Sequence, residues 1–110
     1  MKLSANLGLL WSELPLLERV YKAKEKNFDA VEFQFPYEVD ANELKKAIDK
    51  INLPIIGINT IKGNVSKGDN GLNAVPSRVL EARSAIDKAI EYANVIVSKN
   101  IHFMCGITEQ

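Results

Sequence analysis

Cysteine and histidine are scarce in this sequence, with Cys105 and His102 as the sole examples. One cysteine makes no internal disulfide, and one cysteine with one histidine cannot build a clustered Cys/His zinc site. An excess of either charge is also missing. Fourteen basic residues balance fourteen acidic ones for a formal net charge of zero. That balance lacks the basic footprint of a nucleic-acid or anionic-membrane binder. No apolar run approaches the roughly 18 residues that cross a bilayer. The start, Met1-Lys2-Leu3-Ser4-Ala5-Asn6, has no apolar stretch of the kind a secretory signal needs, so a reducing, cytoplasmic setting is expected. The sequon Asn64-Val65-Ser66 has meaning only in a secreted chain. No Gly-x-Ser-x-Gly context supports a Ser-His-Asp arrangement.

What is present is ordinary globular composition: 110 residues, 46% hydrophobic, 25% charged and 7% aromatic, enough for a single domain with a modest core. Leu3 to Leu10, Ala30 to Phe35, Pro54 to Asn59 and Ile101 to Cys105 are apolar-rich and predict four strands. Helical spacing fills the intervals. Leu16, Leu17, Val20, Tyr21 and Ala23 follow Pro15, a residue tolerated in a first turn. Asp40 followed by Glu43 predicts a capped helix with Leu44, Ala47, Ile48 and Ile51 on its core face. A third helix is predicted from about Arg78 to Ser98, with Ala82, Ala85, Ile86, Ala89, Ile90, Ala93 and Val97 inward.

The order is therefore βαβαβαβ, and strands that alternate with helices of this length run parallel through right-handed crossovers. The fold class is α/β, and the crude repeat suits half of a (β/α)8 barrel, an architecture of about 250 residues. An open doubly wound sheet is the rival arrangement.

Both architectures bind ligands at the carboxyl ends of their strands, which selects Asn6, Glu32, Asn59 and His102 as candidate substrate-binding residues. Glu32 is the most informative. Flanked by Ala30, Val31, Phe33 and Phe35, it faces either a barrel interior or a helix layer, where an unpartnered carboxylate is costly. The bland alternative is a strand-end glutamate that reaches water. His102, alone in an apolar strand, fits a hydrogen-bonded core residue as well as a ligand. Asn6 and Asn59 suit donation to a substrate oxygen, and equally suit loop chemistry. Trp11 and Phe35 are candidate pocket aromatics or plain packing.

The glycine-rich stretch Lys62 to Ser77 has Gly63 and Gly68 at phosphate-loop spacing, but Asp69-Asn70 stands where that motif requires Lys-Ser or Lys-Thr. Nucleotide binding is rejected. The stretch is expected to be a lid over the site, and the least rigid internal segment of the chain.

Ser4-Ala5-Asn6-Leu7, then Phe28-Asp29-Ala30-Val31-Glu32-Phe33-Gln34-Phe35-Pro36-Tyr37, then Asp40 with Glu43-Leu44-Lys45 resemble the start of the hydroxypyruvate isomerase family, within the xylose isomerase-like barrel superfamily. The likeness continues through Asn59, Gly63, Gly68, Gly71, Pro76 and Arg78 to Ala89-Ile90-Glu91-Tyr92-Ala93 and His102-Phe103-Met104-Cys105-Gly106. Two departures fall in the glycine-rich stretch: Asn64-Val65 where relatives have Asp-Trp, and Ser77 where a glycine is usual. The loop's substrate contacts are therefore not carried over.

The resemblance implies aldose-ketose-type isomerisation of a small hydroxy-carbonyl acid, hydroxypyruvate to 2-hydroxy-3-oxopropanoate in the namesake. It also implies a divalent metal, Mg²⁺ or Mn²⁺, and a glutamate that moves the proton. The family's metal ligands and catalytic glutamates lie on later strands, so no residue of this chain receives a catalytic or metal role. Three functions are compatible: an amino-terminal fragment of such an isomerase, inactive alone; a non-catalytic ligand-binding or structural half-barrel; and a fragment of a related sugar epimerase. Self-association as a homodimer or higher oligomer is expected of a half-barrel with open edges.

Overall fold

The computed structural model describes residues 1–108. Its strands are β1 (Ser4–Asn6), β2 (Ala30–Glu32), β3 (Ile55–Asn59) and β4 (Ile101–His102), and its helices are α1 (Leu16–Glu25), α2 (Ala41–Ile51) and α3 (Val79–Ile96). All strand pairings are parallel and the sheet order is β1-β2-β3-β4. A doubly wound sheet reverses its strand order at a switch point, whereas this order advances in one direction. The winding is that of a barrel wall.

The helices cover one face of this sheet. Ala5, Leu7, Val31, Phe33, Ile55 and Ile58 point into them and pack against Val20 and Ala23 of α1, Leu44, Ala47 and Ile48 of α2, and Ala93 and Ile96 of α3. Alternation along β2 sends Val31 and Phe33 to the helices, so Glu32 takes the opposite, inner face. On β3 the alternation slips. Val31 pairs with Ile55 but Glu32 pairs with Gly57, so an extra residue on β3 lets both Ile55 and Ile58 reach the core.

Local chemistry fixes the helix ends. Asp40 Oδ1 accepts from the backbone N–H of Asn42 and Glu43 at 3.0 and 3.1 Å, the cap expected of α2. At α1 no side chain caps the helix, and Pro15 occupies the N-cap position itself. The guanidinium of Arg19 instead ties the β1–α1 connection down, donating to the carbonyls of Leu14, Leu7 and Ser12.

Several boundaries differ from the sequence expectation. β1 stops at Asn6 because its carbonyl accepts from both Leu9 and Leu10 N–H, turning the chain. β4 stops at His102, and Cys105 forms an antiparallel bridge with Gly71. α3 buries Ala82, Ala85, Ala89, Ala93 and Ile96, while Ile90 and Val97 are exposed. Val97 terminates α3 in the left-handed region at φ 58°, which rotates it away from the inward stripe. Tyr21 is likewise on the outside of α1, with Lys50 Nζ 5.8 Å from its ring centroid.

The stretch Lys62 to Ser77 is not uniformly loose. Its second half is anchored, since Leu72 and Val75 are buried and Leu72 joins Ala82 and Ala85 in a small second core. Leu72 and Asn73 N–H donate to Met104 O at 3.0 and 3.1 Å, and Ala74 N–H donates to Cys105 O at 2.8 Å. The tip from Asn64 to Gly68 is the stretch's longest continuously exposed run. The expectation of few buried contacts missed apolar residues too widely spaced to read as an element.

Candidate functional site

The inner face of the sheet and the carboxyl ends of its strands enclose an open cleft of about 670 Å³, and Asn6, Glu32, Asn59 and His102 all line it. Register explains the convergence. Asn6 pairs with Glu32 across β1 and β2, and Asn59 pairs with His102 across β3 and β4, so each candidate stands beside another. Gly57, paired with Glu32, places no side chain beside the carboxylate.

Each residue reaches the cleft with different groups free. The Asn6 carboxamide oxygen accepts from Gly8 N–H at 3.0 Å, which commits the oxygen to a turn and leaves the amide N–H₂ to the cleft. Glu32 is half-buried, and among the described residues no cation pairs with it. Asn59 has its backbone clamped on both sides: its N–H donates to Gln34 O at 3.0 Å, and the Tyr37 hydroxyl donates to its carbonyl. His102 is exposed at the cleft rim, not a core residue, because β4 is an outer strand of the sheet. Phe35 lines the cleft. Trp11 does not, and stacks edge-on against Phe28 with centroids 6.2 Å apart.

Further lining groups had no sequence signal of their own. Lys62 and Asn70 enter from the glycine-rich stretch, and Gln34 and Asn100 come from strand ends. Lys62 Nζ lies 4.8 Å from the Phe35 ring centroid. Asn100 is held by donating its side-chain amide to Ile56 O at 2.8 Å.

Behind the cleft sits a scaffold of hydroxyls. Thr60, fully buried, accepts at Oγ1 from Met104 N–H at 2.9 Å and from the Asn73 side chain at 3.3 Å, joining the ends of β3 and β4 to the loop. The Tyr92 hydroxyl donates to the carbonyls of Pro36 and Val39, and its ring meets Tyr37 edge-on at 5.2 Å. Burial pushes both tyrosine hydroxyls up to about 12, so each remains a donor throughout the neutral range. The exposed loop tip is latched by Asp69, which accepts from Asn64 N–H at 2.5 Å and from Arg78 at 2.6 Å. The hydrogen bond from Arg78, and then that from Asn64, hold the Asp69 carboxyl below the usual carboxylate range. Arg78 is also bonded through two nitrogens to Glu81, at 3.0 and 2.7 Å.

Among the described residues no group of three or more His, Cys, Asp or Glu side chains is placed to hold a metal ion. Glu32 and His102 are the cleft's only groups of that type, so these residues do not by themselves fit a metal centre. What the arrangement supplies is one carboxylate, one ammonium and several carboxamides around a concave wall. That set has the chemistry to bind and orient a small polar molecule. No described helix is long and apolar enough to cross a membrane.

Comparison with known proteins agrees with the winding. The chain is 38% identical over 109 residues to the 2-oxo-tetronate isomerase of Haemophilus influenzae, covering 99% of this chain and 42% of that protein. It is 40% identical over 107 residues to a Danio rerio protein provisionally named a hydroxypyruvate isomerase, covering 96% of this chain and 39% of that one. A crystal structure of an AP endonuclease, family 2, from Brucella melitensis superposes with a TM-score of 0.92 at 36% identity, covering 99% of this chain and 43% of that chain. The chain thus spans about two-fifths of the relatives it matches and corresponds to their amino-terminal strands. The family model for the xylose isomerase-like TIM barrel matches residues 20–110, and with the one-directional parallel sheet this shows that the chain belongs to that family.

Proposed function

We propose that this chain forms the substrate-orienting wall of an isomerase acting on a small hydroxy-carbonyl acid of the hydroxypyruvate type, within cytoplasmic carbohydrate metabolism. The observation that carries this is the convergence of Asn6, Glu32, Asn59 and His102 on one cleft at the carboxyl ends of β1 to β4. Barrel enzymes place substrate at that end of their strands. Relatives named for isomerisation of such acids support the substrate class.

In this role the amides of Asn6 and Asn59 donate to carbonyl or hydroxyl oxygens of the substrate, and Glu32 accepts from a hydroxyl. A divalent cation, Mg²⁺ or Mn²⁺, would polarise the substrate oxygens when bound, and Glu32 and His102 do not by themselves make a site for it. A reducing compartment suits the exposed Cys105.

Titration with hydroxypyruvate, followed by backbone amide shifts, tests the assignment. Shifts are expected at Asn6, Asn59 and His102, and they vanish in an Asn59→Ala, Glu32→Gln double variant that melts normally. Unchanged amides along the strand ends would overturn it. These 110 residues alone are expected to show no turnover of hydroxypyruvate with Mg²⁺ or Mn²⁺ above a buffer-and-metal control, since the described residues offer no metal cluster.

A further inference from the structure

We propose that Lys62 is the specificity residue of the cleft, its ammonium receiving the carboxylate of the acid substrate and so selecting acids over neutral polyols. This rests on the site assignment above and adds to it a residue and a direction of binding. Lys62 lies just beyond Asn59, and its carbonyl accepts from Gly71 N–H at 2.8 Å, which fixes the backbone from which the side chain projects. It is the only lysine or arginine lining the cleft. The nearby Arg78 is committed to Asp69 and Glu81, and Lys67 lies on the exposed tip. Lys62, by contrast, makes no ion pair among the described residues.

Among the described residues its ammonium meets the face of Phe35, 4.8 Å from the ring centroid. A cation–π contact at a half-exposed position is weaker than a charge-assisted hydrogen bond to a carboxylate, so an arriving acid outcompetes the ring. Phe35 lines the same cleft, so the ring holds the ammonium at the cleft wall.

Charge balance makes the lysine decisive. The cleft's one carboxylate is Glu32, on the neighbouring strand β2. With Lys62 neutralised, Glu32 would leave the cleft negative and repel an acid. With both present, the carboxylate is drawn to the loop side at Lys62 while the hydroxyl end faces Glu32. Asn59 and Asn70 supply neutral donors around the same end of the cleft. The acid is thereby oriented with its reacting carbons across the strand ends.

Glycerate is the probe, titrated into the protein and its Lys62→Met and Lys62→Arg variants with the amides of Asn59 and Asn70 observed. The expected result is binding that weakens about tenfold in Lys62→Met and returns in Lys62→Arg, the loss of one charge-assisted contact. The melting temperature stays unchanged in both, which a merely structural lysine would not guarantee. If Lys62→Met binds glycerate in the cleft as tightly as the unaltered protein, the lysine assignment falls and the site assignment stands. Absence of any cleft response in the unaltered protein overturns both.

Discussion

The backbone conformation of Val97 disagrees with its side-chain chemistry. It ends α3 at φ 58°, a region that crowds a β-branched side chain, and it is 66% exposed, so little packing compensates. Left-handed placement of a non-glycine residue costs about 1 kcal/mol or more. Val97→Gly is therefore expected to stabilise the protein by about 1 kcal/mol in urea denaturation, less whatever backbone entropy glycine adds to the unfolded chain. A loss of stability would mean that Val97 holds the chain on its way to β4. At Asn52, which ends α2 at φ 53°, the residue already suits the geometry and no such gain is available.

At the scale of elements, the glycine-rich stretch behaves as two pieces. Gly71 and Gly106 lie back to back, and a Cβ on either would collide with backbone of the other's strand, so the bridge that anchors the second half requires both glycines. The tip depends on a charge instead. Asp69 holds Asn64 N–H and Arg78, and its carboxyl titrates below the usual aspartate range. A carboxyl lowered on folding adds stability above its unfolded value, and that stability disappears as pH falls through the lower, folded value. Protection of the Asn64 to Gly68 amides, taken against the intrinsic exchange rate at each pH, is thus expected to hold from pH 7 down to about 4, the unfolded aspartate range, and to fall only below it. Asp69→Asn should show the fast exchange at pH 7. Equal protection in that variant would mean that the 3-10 turn at Val65–Lys67 holds itself.

For the whole molecule, the sheet ends on two outer strands with apolar neighbours. Exposed Leu9 and Leu10 follow β1, and Phe103, 47% exposed, follows β4. Unpaired parallel edges beside such side chains favour association, and placing β4 of one copy beside β1 of another gives two equivalent contacts about a two-fold axis. The 110 residues are expected to run as a dimer or larger species in light scattering coupled to size exclusion. A well-behaved monomer at high micromolar concentration would contradict this.

The alternation of strands and helices, the cap at Asp40 and the alanine face of α3 are legible in one dimension, because they follow from local spacing and backbone chemistry. The sequence also marked Asn6, Glu32, Asn59 and His102, since polar residues interrupting or closing apolar strands stand out in one dimension. That they share a cleft is a matter of the fold, because their pairing depends on register, including the extra residue on β3 that sets Glu32 beside Gly57. The one-way winding of the sheet, as against a doubly wound order, is likewise set in three dimensions, because strand order is a property of crossovers and not of any segment. Lys62 and the buried knot at Thr60 were illegible for the same reason. Their partners, Phe35 for one and Met104 and Asn73 for the other, are brought to them by the fold, and nothing in the spacing between them records the contact.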